Sequence, residues 1–202
     1  MQLHYVPILI TESCSAGCKH CPFGVSQTRA EPRLDAIISK ISVASADQIF
    51  LITGGEPLEF RSIRKIVEAL ERKEVYFRIA TGGHIPLIGF NREMSSSFLA
   101  GVSVGTDVVN PGRNNPEKHA EIWLKNLDFL VKNEISYSLT LSFSGQEDFK
   151  AIPFLRFNLK KLNPAFVMVL IRKNIDNTEL RNKILESFGF LTPVERFVFE
   201  LV

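Results

Sequence analysis

Apolar runs of strand length alternate along this chain with segments in which apolar residues recur at helical spacing, the pattern of βα units around a parallel sheet. The runs predict six strands, Tyr5–Thr11, Gln48–Thr53, Val75–Thr81, Gly101–Gly105, Ser136–Phe143 and Phe166–Arg172. Several are too uniformly apolar for a sheet with one wet face, so both faces are expected to be covered. The helical segments are Leu34–Ala46, Phe60–Lys73, Pro116–Asn133, Glu147–Leu162 and Asn177–Phe188. Ala120, Trp123, Leu124, Leu127, Leu130 and Val131 form the clearest stripe, which reads as core. Asn115-Pro116-Glu117 supplies a helix start, and Asn177 or Thr178 before Glu179 supplies another.

Two stretches break the alternation. Gly, Pro and a Ser run interrupt any helical period from Gly82 to Leu99, predicting a long loop with at most a short helix. Ser13–Arg33 is a long irregular connection, and loops of that length in compact domains tend to be functional. Six βα units are fewer than the eight that close a full barrel, so the expected architecture is α/β: an open partial (β/α)6 TIM-like barrel with a mostly parallel sheet. The site is then expected at the C-terminal ends of the strands.

The 202 residues suit a single domain spanning positions 1–202. Within it the cysteine-bearing loop occupies 13–33, and an apolar tail at 190–202 is expected to plug the barrel bottom or form a homodimer face. A formal net charge of +2 does not suit wholesale phosphate neutralisation, so nucleic acid is not expected as a partner. The N-terminus lacks the basic region and cleavage site of a secretory signal, and no apolar run approaches ~18–20 residues, so a cytoplasmic protein without a membrane span is expected. The three cysteines, crowded between positions 14 and 21, fit reducing conditions better than a disulfide framework.

Those cysteines form a C-x3-C-x2-C loop, Glu12 to Gly24, directly after the first strand. Three thiolates so close together converge on one inorganic centre, and thiolate sulfur selects zinc or iron–sulfur. The chain has no fourth cysteine, so a cubane cluster would keep one iron open to a non-protein ligand, as a catalytic centre does. The competing reading is a zinc site completed by His20, His4 or His84, and with it a zinc-binding interaction module that performs no catalysis. The second strand runs into Thr53-Gly54-Gly55-Glu56-Pro57. Paired glycines allow close backbone approach, a carboxylate complements an ammonium, and proline stiffens the turn.

C-x3-C-x2-C after the first strand, with an aromatic His20 before Cys21, resembles the signature of radical S-adenosylmethionine enzymes, and Gly54-Gly55-Glu56-Pro57 resembles that family's GGEP motif. The resemblance implies that Cys14, Cys18 and Cys21 bind three irons of a [4Fe–4S] cluster while the methionyl amine and carboxylate of S-adenosylmethionine chelate the fourth. It implies His20 near the adenine and the GGEP motif at the methionyl amine. Thr81, in Ala80-Thr81-Gly82-Gly83, looks like the T-N-G turn of the molybdenum-cofactor-biosynthesis and peptide-maturase branches, and Val102-Ser103-Val104-Gly105-Thr106-Asp107 is similar to their V-S-L-D. Ser103 is thereby implied as a donor to the methionyl carboxylate and Asp107 as an acceptor for ribose, although Gly105 stands where those branches have Asp. Ser142 or Ser144 is a further implied cofactor contact, and Arg172 is implied to supply a basic charge.

The activity so implied is reductive cleavage of S-adenosylmethionine to a 5′-deoxyadenosyl radical that removes hydrogen from a substrate, fed by an external one-electron reductant of flavodoxin or ferredoxin type. With all three thiols committed, none remains for an auxiliary cluster or as a thiol hydrogen donor. A small open barrel favours a peptide or protein substrate. The other readings are a small-molecule substrate, as in a nucleoside or purine-precursor rearrangement, and activation of a glycyl-radical enzyme.

Overall fold

The computed structural model describes residues 4–18, 33–105, 116–143, 146–159, 161–162, 164–172, 178, 182, 186–187 and 196–201. Its centre is one parallel sheet in sequence order, β1 (His4–Thr11), β2 (Gln48–Gly54), β3 (Tyr76–Thr81), β4 (Leu99–Gly105), β5 (Tyr137–Phe143), β6 (Phe166–Arg172) and β7 (Arg196–Leu201). The helices α1 (Leu34–Ser42), α2 (Ile63–Arg72), α3 (Asn91–Met94), α4 (Pro116–Lys132) and α5 (Ile152–Leu159) lie between strands. The open α/β partial barrel expected from the alternation is the architecture found. Strand bounds agree with the apolar runs to within two residues. The interrupted stretch after β3 holds only a 3-10 turn, Leu87–Phe90, and the four-residue α3.

One helix predicted from the sequence divides. Glu147–Leu162 is a 3-10 segment, Gln146–Ala151, followed by α5, which carries Pro153 in its first turn where a missing N–H is tolerated. The segment Asn177–Phe188, also predicted helical, lies largely outside the described residues. Of the apolar tail at 190–202, expected as a barrel plug or a homodimer face, the described part, Arg196–Leu201, pairs in parallel with β6 from Val167 to Arg172 and adds a seventh strand. Its β-branched and aromatic content suits an extended strand.

Alternate residues of the sheet separate two environments. Ile8, Ile10, Phe50, Ile52, Phe77, Ile79, Val102, Val104, Leu139, Leu141, Val167 and Val169 are buried and join Ile37, Ile41, Ile66, Leu70, Trp123, Leu127, Leu130 and Leu155 of the helices in one core. In α2 the buried Ile63, Ile66, Val67 and Leu70 recur at helical spacing on one face. The α4 stripe is core as read, except that its last member, Val131, is half exposed.

The other face corrects the expectation that both sides are covered. Leu51, Thr53, Ala80, Ser103, Gly105, Thr140, Ser142, Met168 and Leu170 are only half-buried, and Leu9 is exposed. The strands read as uniformly apolar because curvature, rather than a second helical layer, shelters this concave side. Toward the N-terminal ends of the strands it closes over Arg78, 9 % exposed, whose guanidinium donates to the Ala100 carbonyl at 3.3 Å and to Ser138 Oγ at 3.4 Å.

Candidate active site at the C-terminal strand ends

The loop after β1 and the turn after β2 are locked together through backbone. The Gly55 N–H donates to the Thr11 carbonyl at 2.8 Å and the Glu56 N–H to the Ser13 carbonyl at 2.9 Å. This contact explains the paired glycines more directly than ligand approach does. A Cβ on Gly54 would lie 2.2 Å from the Thr11 carbonyl oxygen, and one on Gly55 2.2 Å from that of Ser13. The glycines therefore admit the cysteine loop itself, whose next residue is Cys14. The Ser13 N–H, in turn, donates to Thr11 Oγ1 at 3.0 Å.

Cys14 and Cys18 are half-buried, outside any disulfide among the described residues, and packed against the edge of the core on either side of the buried Ala16. Gly17 carries the loop through φ 65°, a conformation that a side chain would disfavour. His20, Cys21, Asp107 and Ser144 lie outside the described residues, as does the side chain of Arg172, whose backbone ends β6.

The Glu56 carboxylate is wholly buried and turned into the protein. It accepts the Leu58 N–H at 3.1 Å on one oxygen, and the Thr81 hydroxyl and Gly82 N–H, both at 2.9 Å, on the other. Pro57 opens the following 3-10 turn, Pro57–Glu59, for which Glu56 is the N-terminal cap. Burial pushes the Glu56 carboxyl up, while the nearby His84 charge and these hydrogen bonds oppose the rise. Thr81 also accepts the Gly83 N–H at 3.1 Å. Glu56 and Thr81 thus hold the ends of β2 and β3 together, and it is half-buried Gly54 and Gly55 that border the surface.

Sequence reasoning did not single out Ser15 or Glu59, and considered His84 only as a zinc ligand. The Glu59 carboxylate accepts from the Ser15 N–H at 3.0 Å and from the Ser15 hydroxyl, and His84 Nε2 lies 3.3 Å from it. His84 Nδ1 lies 3.6 Å from Glu56. Burial works against a charged His84, but hydrogen bonds to Cys14 and Glu59 and the charge of Glu56 outweigh it and lift its pKa to about 10. Against the cost of its own partial burial, the bonds from His84 and Ser15 hold Glu59 below the usual carboxylate range. The available signals were Glu59 three residues beyond Glu56 and His84 directly after the Gly pair. Neither spacing is distinctive.

Helix α4 fixes the far side of this cluster. Asn126, 2 % exposed, donates to the Gly83 and Ile85 carbonyls, both at 2.9 Å, and accepts the Leu87 N–H at 2.8 Å. The His119 ring meets His84 edge-on, with centroids 5.7 Å apart. On the concave face Ser103 Oγ is 3.1 Å from Ser138 Oγ, and Ser142 lies further along β5. The sheet thus brings Cys14, Cys18, Gly54, Gly55, Glu56, Pro57 and Thr81 to adjoining strand ends and leaves Ser103 and Ser142 on the barrel wall.

The donor set tests what this loop can hold. His4, proposed as a zinc ligand, pairs with Asp47 at the opposite end of β1, about 25 Å of extended chain from the cysteines. His84 is turned to two carboxylates, and among the described residues no three His, Cys, Asp or Glu side chains gather into a metal site. Thiolate sulfur is the donor type that iron–sulfur clusters take, and Cys14 and Cys18 fit such a centre; His20 and Cys21 lie outside the described residues.

An open α/β barrel with a cysteine loop seated on a Gly-Gly-Glu-Pro turn at its C-terminal edge defines a class of protein. The sequence model of the Radical SAM superfamily matches residues 8–157, and the chain belongs to that superfamily. Membership implies a [4Fe–4S] cluster and S-adenosylmethionine as cofactors. No curated protein matches the sequence.

Solved structures share the fold. Streptococcus suis SuiB bound to S-adenosylmethionine is 12 % identical, with a TM-score of 0.65 over 100 % of this chain and 51 % of that one. The same protein bound to precursor peptide SuiA is 11 % identical, with a TM-score of 0.67 over 98 % of this chain and 49 % of that one. The anSMEcpe protein with bound AdoMet and Cp18Cys peptide is 14 % identical, with a TM-score of 0.60 over 85 % of this chain and 51 % of that one. The chain therefore spans about half the length of these structures. No helix among the described residues is long and apolar enough to cross a membrane.

Proposed function

We propose that this chain uses a [4Fe–4S] cluster held by Cys14, Cys18 and Cys21 to cleave S-adenosylmethionine reductively and remove hydrogen from a residue of a peptide or protein. The observation that supports this reading is the backbone seat of the cysteine loop on Gly54-Gly55-Glu56, which reaches Ser13, the residue before Cys14. When bound, the cluster and S-adenosylmethionine supply the 5′-deoxyadenosyl radical that performs the hydrogen abstraction.

The chain's own residues bind and orient. Gly54 and Gly55 border the methionyl amine, Glu56 and Thr81 keep that turn in shape, and Ser103 and Ser142 offer hydroxyls from the concave wall. His20 and Asp107 are assigned to the adenine and the ribose on the strength of their motif positions, and Arg172, at the end of β6, to supply the basic charge that some relatives carry on the fifth strand. The apolar and hydroxyl-lined concave face, half-open in the chain alone, excludes water from the reacting centre once a substrate covers it. A peptide substrate is favoured because SuiB and anSMEcpe, which share this fold, are described with bound peptides. An external one-electron reductant completes the reaction.

The test is anaerobic reconstitution with iron and sulfide, followed by S-adenosylmethionine and dithionite, assaying 5′-deoxyadenosine. Wild type is expected to form it and Cys18→Ala to lose it; robust formation by Cys18→Ala would falsify the ligand assignment. A colourless wild-type protein that retains stoichiometric zinc and forms no 5′-deoxyadenosine overturns the reading altogether.

A further inference from the structure

Glu59 lies outside the recognised motifs, three residues past Glu56, whose carbonyl accepts its backbone N–H at 3.0 Å, and its side chain is the point at which three strand ends meet. It receives the Ser15 backbone N–H at 3.0 Å and the Ser15 hydroxyl from the loop after β1, and His84 Nε2 at 3.3 Å from the loop after β3, while itself sitting on the 3-10 turn after β2. His84 is held from behind by Glu56, its side chain only 2 % exposed. Ser15 is exposed and adjacent to Cys14. Water can satisfy an exposed N–H and hydroxyl at little cost, so folding alone does not require a half-buried carboxylate to be aimed at both. What the contact does is immobilise the residue next to the first thiol.

We propose that Glu59 is a positioning residue: clasped between Ser15 and His84, it presets the Cys14 arm of the cysteine loop for the iron–sulfur cluster. The inference rests on Cys14 being a cluster ligand. An arm ordered in the apo chain loses less conformational entropy when the cluster forms, and groups that orient ligands in this way typically change metal affinity 10–100-fold when removed. The Glu59 carboxylate also offsets the imidazole of His84, so neutralising Glu59 leaves the cluster in a more positive setting, which favours its reduced form.

The experiment uses the full chain reconstituted anaerobically with ferrous iron and sulfide. Iron release to a chelator is followed by the loss of visible absorption, and the midpoint potential by EPR-monitored titration. Glu59→Gln is expected to release iron about 10-fold faster and to shift the potential positively. Ser15→Ala, at an exposed position that cannot compromise the core, is expected to release iron a few-fold faster, about 3-fold, and Ser15→Thr, which keeps the hydroxyl, to return the wild-type rate. Release rates of Ser15→Ala and Glu59→Gln equal to wild type, with an unmoved potential, overturn the clasp; if Glu59→Gln does not fold, the Ser15 pair decides. A wild-type chain that takes up no cluster overturns the cluster assignment and this inference together, whereas a loaded wild type with indifferent variants sinks the clasp alone.

Discussion

The indole Nε1–H of Trp123 donates to the carbonyl oxygen of Gly105 at 2.9 Å, fastening α4 to the last residue of β4. Trp123 is fully buried, so the stripe residue that reads from sequence as plain core also caps a strand end beside the site. Replacement by Phe keeps most of the ring and strands the carbonyl. Trp123→Phe is expected to cost about 1–2 kcal/mol and Trp123→Ala about 3–5 kcal/mol in denaturant titrations. A Phe variant as stable as wild type would mean that the bond contributes nothing.

Asn126 uses three hydrogen bonds to hold the loop from Gly83 to Leu87. Asn126→Ala leaves two carbonyls and one N–H without partners in a buried setting, and is expected to cost about 3 kcal/mol. Lys125→Ala, one residue away, breaks only an exposed pair with Glu121 and is expected to stay within about 0.5 kcal/mol of wild type. Urea midpoints of the two variants provide the check. Equal midpoints contradict the role given to Asn126.

Two glycine-to-alanine changes separate loop seating from general tolerance. Gly55→Ala forces a Cβ against the Ser13 carbonyl and is expected to abolish stoichiometric iron uptake on reconstitution. A Cβ on Gly89 meets nothing within 4 Å, so Gly89→Ala should load normally and gain up to about 0.5–1 kcal/mol through a less flexible unfolded chain. Normal iron content in Gly55→Ala would show that the loop seats elsewhere.

Remote from the site, Arg92 grips the Glu71 carboxylate with both terminal nitrogens, at 2.8 and 2.6 Å. These hydrogen bonds hold Glu71 below the usual carboxylate range. Its folded value is depressed, so the stabilisation is present above the ordinary glutamate pKa of about 4.3 and is lost as the pH falls through the folded value. Solvent screening at this surface pair limits the effect, and Glu71→Gln is expected to cost about 0.5 kcal/mol at pH 7 and nothing in strong acid. Melting curves of the two proteins that remain offset in acid contradict this assignment.

Much of the molecule was legible before any coordinates. Strand bounds followed from apolar runs because alternate residues of each strand enter one continuous core, and the α4 stripe followed from helical period. Cys14, Cys18 and the GGEP turn were found because each lies within a few residues of chain, where spacing carries the information. Ser15, Glu59 and His84 escaped because their contact joins residues 44 and 25 positions apart, and no local spacing encodes it.

By itself the sequence determined that this is a parallel α/β chain with a three-thiolate loop, since periodicity and a short motif are local properties of a polymer. Tertiary structure decided the rest: that the concave face stays half-open, that the C-terminal residues add a strand, that Gly54 and Gly55 make room for the cysteine loop, and that Glu56 turns inward. Each depends on which distant backbone arrives at a given strand end, and curvature and register set that only once the sheet has assembled.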